Sequence, residues 1–168
     1  MACQHNMTYT EENRGKIQFR DRARQIIDFS GMRFGNITPT DIDGFFERRD
    51  EIFIFYEFKY GEASMPEGQK KALKRTIDAI TASGRKAALF VCSHDVSDTT
   101  QDIDAAKAKV RWYYYNHNEI WERKGRNVKE ATDAYLAKME ELLCDAKRNK
   151  ELSEGLSDPG ADSTDTRM

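Results

Sequence analysis

The sequence predicts a single α/β domain with a mixed central β-sheet flanked by helices, and three observations carry that expectation. Ile52-Phe53-Ile54-Phe55-Tyr56 is an unbroken apolar run, the pattern of a central strand covered on both faces. A helical pattern and a second apolar run, Ala87 to Cys92, follow it. Such a strand–helix–strand passage calls for a parallel pair with a right-handed crossover. At 168 residues, 39% hydrophobic and 33% charged, the chain can enclose one core and present long solvated helices.

Residues 1–14 are polar and read as a flexible arm; they hold no apolar run, so no secretory leader is expected. The domain proper is expected over 15–148. A first helix is expected from about Gly15 to Phe29, with Ile17, Ala23, Ile26 and Ile27 as a weak stripe and Lys16, Arg20 and Arg24 as a basic row. Gly35 and Pro39 make Met32 to Thr40 extended or irregular. Asp41 to Arg48 reads as a strand, and the polar Arg49-Asp50 step makes it a hairpin with the Ile52 run.

The next helix should span about Glu67 to Ser83, burying Leu73, Ile77 and Ile80 and ending at Gly84, with Lys70, Lys71, Lys74 and Arg75 on or near its other side. The Ala87–Cys92 run is the second buried strand, and Ser93 to Asp104 is a polar surface loop. Lys109–Tyr115 and Glu119–Arg123 should pair around Asn116-His117-Asn118. Asn127 can cap a last helix from Val128 to about Lys147, its stripe Val128, Ala131, Tyr135, Met139 and Leu142. Residues 149–168 read as a disordered acidic tail. From Glu151 onward five acids face one base, and the rest of the chain holds 26 Lys and Arg against 24 Asp and Glu, so any basic surface must come from local clustering.

No stretch is long and apolar enough for a spanning helix. Cys3, Cys92 and Cys144 are odd in number and widely spaced, which fits reduced thiols in a cytoplasmic protein. There is no internal repeat and no Gly-rich phosphate loop.

The chemistry concentrates at the end of the central strand. Its run is broken by Glu57 and Lys59, which alternation puts on one face together with Phe53 and Phe55, with Phe58 on the other. A carboxylate and an ammonium at the rim of a dry core are costly without a partner or a metal. Counting back from the hairpin turn brings Asp41 and Asp43 beside them. An oxygen-rich cluster of this kind suits a hard cation such as Mg²⁺ or Mn²⁺. Gln69, ten residues past Lys59, can face back over the strand end from the first turn of the following helix. Taken alone it reads as an ordinary exposed Gln; beside the other three it reads as part of the site. Glu122-Arg123-Lys124 repeats the Glu-x-Lys pattern, but it follows a short mixed strand with no acid opposite and reads as a solvated edge.

The order Asp43-Gly44-Phe45, hairpin, Phe55-Tyr56-Glu57-Phe58-Lys59, then Gly68-Gln69 resembles the PD-(D/E)XK nuclease superfamily, which includes Holliday-junction resolvases, VRR-type nucleases and many restriction enzymes. Ile37-Thr38-Pro39-Thr40-Asp41-Ile42-Asp43-Gly44 is similar to small phage and prophage members. The resemblance covers about Phe19 to His94. It implies an αβββαβ core of the restriction-endonuclease kind and Mg²⁺-dependent endonuclease or exonuclease hydrolysis of DNA. Asp43, Glu57 and the Phe58 main-chain carbonyl would hold the cation, with Asp41 as a further ligand. Lys59 would position the water, and Gln69 would orient water or phosphate. Strand alternation does not choose between Asp41 and Asp43; the Asp-Gly-hydrophobic pattern favours Asp43. An extra first-helix ligand has candidates in Glu11, Glu12, Asp21 and Asp28. The alternative is a catalytically silent module of the same fold that binds DNA or a host protein.

Two further features carry lesser expectations. His94-Asp95 ends the second buried strand, where a structural role is favoured. The series Trp112-Tyr113-Tyr114-Tyr115, with Trp121, could stack bases, but packing in the core or across a homodimer is the favoured use.

Overall fold

The computed structural model describes residues 25–155. They fall into two compact units, divided at Thr40 and Asp41. In the first unit a short 3-10 turn, Ser30–Met32, follows Asp28, whose carboxylate accepts the Ser30 N–H at 2.8 Å and its hydroxyl at 3.0 Å. A tight loop then closes with mutual backbone hydrogen bonds between Phe34 and Ile37, with Gly35 in the left-handed region at φ +60°. Of the first helix expected from the sequence, residues 15–24 lie outside the described residues and residues 25–29 are irregular. Ile26 and Ile27 are exposed there, so the expected stripe buries nothing on these residues.

The second unit is α/β, with a mixed sheet between two helices. Its strands are β1 (Gly44–Arg48), β2 (Ile52–Tyr60), β3 (Lys86–His94), β4 (Lys109–Tyr115) and β5 (Asn118–Trp121), in spatial order β1-β2-β3-β4-β5. Only β2 and β3 run parallel, and the helix between them is α1 (Glu67–Ala82); α2 (Val128–Gly155) closes the unit. The described residues thus hold two strands before the crossover helix, where the family pattern implied three. Residues 25–43 are exposed except for half-buried Phe29, so with no alternating face to bury they add no strand.

Both turns use left-handed backbone, which Asn, Asp and His adopt more readily than other non-glycine residues. Arg49 and Asp50 take φ +54° and +56° at the β1–β2 turn, where the Asp50 carboxylate is held by Arg85. Asn116 and His117, at φ +49° and +61°, form a two-residue connection between β4 and β5, the geometry that matches strand twist. Gly84, at φ +88°, ends α1.

Alternation sorts the sheet into two cores. Ile52, Ile54, Phe90 and Cys92 face α2, where Ala131, Tyr135 and Met139 meet them. Phe55, Leu89, Val91 and Trp112 face α1, against Leu73 and Ile77. The continuous apolar run of β2 is the consequence: both of its faces are covered. Asn127 caps α2 as expected: its side-chain oxygen accepts the Glu130 N–H at 2.8 Å, and Glu130 returns a carboxylate to the Asn127 N–H at 3.1 Å.

Three expectations are corrected. The first strand begins at Gly44, not Asp41. Helix α2 runs to Gly155, so residues 149–155 are helical rather than a disordered tail; residues 156–168 lie outside the described residues. Leu143, not Leu142, completes the buried stripe of α2, since a stripe of 3.6-residue period drifts over four turns.

Candidate functional site

The site lies at the end of β2, where β1 has already stopped. Gly44 pairs with Tyr56, the last rung of that ladder. Beyond it the Asp43 carboxylate takes the place of a strand: the Phe58 N–H donates to Asp43 Oδ2 at 2.7 Å. N–H and C=O of one strand residue leave on the same side, so the Phe58 carbonyl faces the same gap. Gly44 fits here because a Cβ would stand 3.3 Å from the Tyr56 Cβ, a tight contact at the closing rung.

Glu57 is the one charged residue among the fully buried described residues, at 0% exposure of the whole residue. Its Oε1 accepts two hydrogen bonds, from Lys59 Nζ at 2.6 Å and from Gln69 Nε2 at 2.8 Å. Its Oε2 is buried and has no hydrogen-bond partner among the described residues. Burial pushes the Glu57 carboxyl above the ordinary glutamate range, and the Asp43 charge adds to this against the pull of Lys59 and Gln69. The Cys92 thiol, on the next strand, is pushed up to about 12 by burial and then by the charges of Asp43 and Glu57. Asp43 and Glu57 therefore share one negative locus. Asp41 is exposed and among the described residues its hydrogen-bond contact is with Gln69, at 3.5 Å, a weak one. Alternation could not choose between the two aspartates; in the structure it is Asp43 that stands by Glu57 and Phe58.

Lys59 keeps its side chain 20% exposed while its ammonium touches the carboxylate. Gln69 arrives because α1 starts at Glu67, placing its first turn over the strand end. The four positions singled out in the sequence are thus brought together.

The donor set fits a hard cation. Asp43, Glu57 and the Phe58 carbonyl are all oxygens, and the orphaned Glu57 Oε2 is a buried acceptor with nothing to accept from. Among the described residues no three His, Cys, Asp or Glu side chains gather into a metal cage. A cation here would keep part of its water shell, as Mg²⁺ commonly does.

Glu122 corrects the sequence reading. It is not a solvated edge: its side chain is 3% exposed. Arg126 and the Lys124 N–H occupy both of its oxygens, with Arg126 Nε at 2.8 Å and the amide at 2.8 Å. Burial raises its pKa, but these hydrogen bonds and the charges of Arg126 and Lys124 hold the carboxyl below the ordinary range. The two Glu-x-Lys sites are therefore opposites. Glu122 is fully satisfied, and Glu57 is not.

His94 ends β3 beside Tyr60, their rings 5.8 Å apart, and its Nδ1 is buried with no partner among the described residues. It shares its face with Phe58 rather than with Glu57. Asp28 is taken up by Ser30, and Glu11, Glu12 and Asp21 lie outside the described residues. The feature that sequence reasoning missed is Trp121, which it grouped with the packed aromatics; it is 60% exposed.

Comparison with protein-family models, with curated proteins and with solved structures finds no match. Among the described residues no helix is long and apolar enough to cross a membrane.

Proposed function

We propose that this chain is a nuclease that hydrolyses DNA phosphodiester bonds with Mg²⁺ or Mn²⁺. The observation that carries the reading is the state of Glu57, a buried carboxylate with one oxygen clamped by Lys59 and Gln69 and the other without a partner. A purely structural buried acid is normally satisfied at both oxygens, as Glu122 is.

In this reading Asp43, Glu57 and the Phe58 carbonyl hold the cation. When bound, the metal supplies Lewis-acid polarisation of the phosphoryl oxygen. Lys59 donates a hydrogen bond that aims the attacking water. Gln69 fixes the Glu57 carboxylate, leaving Oε2 to face its ligand. Basic residues on the flanking helices hold the phosphate backbone, so binding weakens with salt.

The second reading is the silent module that binds DNA or a host protein. The Lys59–Glu57 pair at 2.6 Å favours it to this extent, that the lysine already has a structural partner. Incubating the protein with duplex, single-stranded and branched DNA, in Mg²⁺, Mn²⁺ or EDTA, separates the two. Metal-dependent cutting supports the nuclease; binding without cutting under either metal supports the module.

A further inference from the structure

One row of side chains crosses the sheet from the candidate site to its far edge. Glu57 pairs with Val91, Val91 with Trp112, and Trp112 with Trp121. Directly paired residues point to the same face, so all four lie on the α1 side. Three strand spacings separate the ends of the row, about 14 Å. Helix α1 covers the middle of it. Gln69 touches Glu57, and the next residue, Lys70, holds its ammonium 4.8 Å over the Trp112 ring.

The end of the row is uncovered. Trp112 and Tyr114 are buried and Tyr113 and Tyr115 half-buried, but Trp121 is left out of the packing. Its ring is backed by Trp112, at 6.4 Å between centroids. It is an aromatic surface held in place on the edge strand of the sheet. Along the same edge strand opens a cleft of about 510 Å³, lined by Trp121 with the acids Glu119 and Glu122 and the bases Arg123, Lys124 and Arg126 among others.

The charges around it are positive on balance. Lys70 and Lys74 neutralise Glu119, and Arg126 neutralises Glu122. Arg123 and Lys124 are exposed and make no ion pair among the described residues. An exposed ring backed by Trp112 and flanked by exposed cations offers stacking for a base and charge for its phosphates. Stacking of this kind requires a base that is out of a duplex.

We infer that Trp121, with Arg123 and Lys124, holds an unpaired stretch of a DNA strand, so that the substrate class is single-stranded or partly unpaired DNA. The inference rests on the nuclease reading only for what is cut.

The test is binding in EDTA, where nothing is cut, read by anisotropy of a labelled oligo(dT) of about 15 nucleotides and of a duplex of the same length. Trp121→Ala should weaken oligo(dT) binding about tenfold and leave duplex binding unchanged. Trp121→Phe should restore most of the affinity, and Arg123→Ala with Lys124→Ala should flatten the salt dependence. Circular dichroism checks that each variant is folded. Equal oligo(dT) affinity in Trp121→Ala and wild type overturns the inference, as does an equal loss on both probes. It is also overturned if sizing shows that Trp121→Ala only splits a dimer while oligo(dT) affinity is retained. A wild type that cuts duplex yet ignores Trp121 in these titrations sinks this inference alone. One that grips oligo(dT) through Trp121 and cuts nothing keeps it and sinks the nuclease reading.

Discussion

Gln69 Nε2 stands 2.8 Å from Glu57 Oε1, the same oxygen that Lys59 holds, so the first turn of α1 fixes a carboxylate at the end of β2. Two donors on one oxygen leave the other free, and that asymmetry organises the site. Gln69→Ala should remove one of the two constraints. Metal affinity should fall several-fold, and any cleavage should fall with it, while the melting temperature changes little because Gln69 is only half-buried. Calorimetric titration with Mn²⁺ checks this.

Glu57 should make the fold pH-sensitive in a direction opposite to most carboxylates. Its folded-state pKa is raised by burial first and by Asp43 second, so the folded protein binds this proton more tightly than the unfolded chain does. Its contribution to stability is present below the ordinary glutamate value and is lost as pH rises through the folded value. Glu57→Gln should therefore gain in melting temperature over wild type as pH rises from acid to neutral. Mn²⁺ at neutral pH should raise the melting temperature of wild type and not of the variant. Melting curves against pH, with and without Mn²⁺, provide the readout.

Much of this was legible in the chain. Burial on both faces forces a continuous apolar run, so Glu57 and Lys59 stand out where they break it, and the hairpin count places Asp43 opposite. Other features were hidden for physical reasons. Asp41 and Asp43 alternate like strand residues, but a side chain and not a main chain meets Phe58, so β1 starts at Gly44. Glu122 looks solvated until Arg126, four residues on, is seen to cover it. Alternation assigns Trp121 a face but cannot say whether a helix covers that face.

The two aspartates should separate experimentally. Asp43→Asn should abolish metal-dependent cleavage, since Asp43 shares the locus of Glu57. It should leave the fold near intact, because the amide oxygen can still accept from Phe58. Asp41→Asn should reduce activity modestly. Initial rates on labelled DNA decide, and the reverse ranking would move the first metal ligand two residues back.

Glu122 provides the control. Glu122→Ala leaves Arg126 without its carboxylate and should cost roughly 1–3 kcal/mol of stability, read from urea melts. Mn²⁺ binding should be unchanged. A loss of metal binding with this variant would relocate the site to the β5 end.

The central claim is that Lys59 serves the reaction rather than the fold, and cleavage by Lys59→Ala tests it most directly. Rates on single-stranded, branched and duplex DNA in Mg²⁺ and Mn²⁺ should be compared with wild type at matched metal saturation. The account predicts metal-dependent cutting by wild type, near-normal Mn²⁺ and DNA affinity in the variant, and a rate about 10²–10⁴-fold lower, the usual loss for a proton-handling contact. Cleavage at the wild-type rate by folded Lys59→Ala would contradict it, as would a wild type that binds DNA and cuts none of it with either metal.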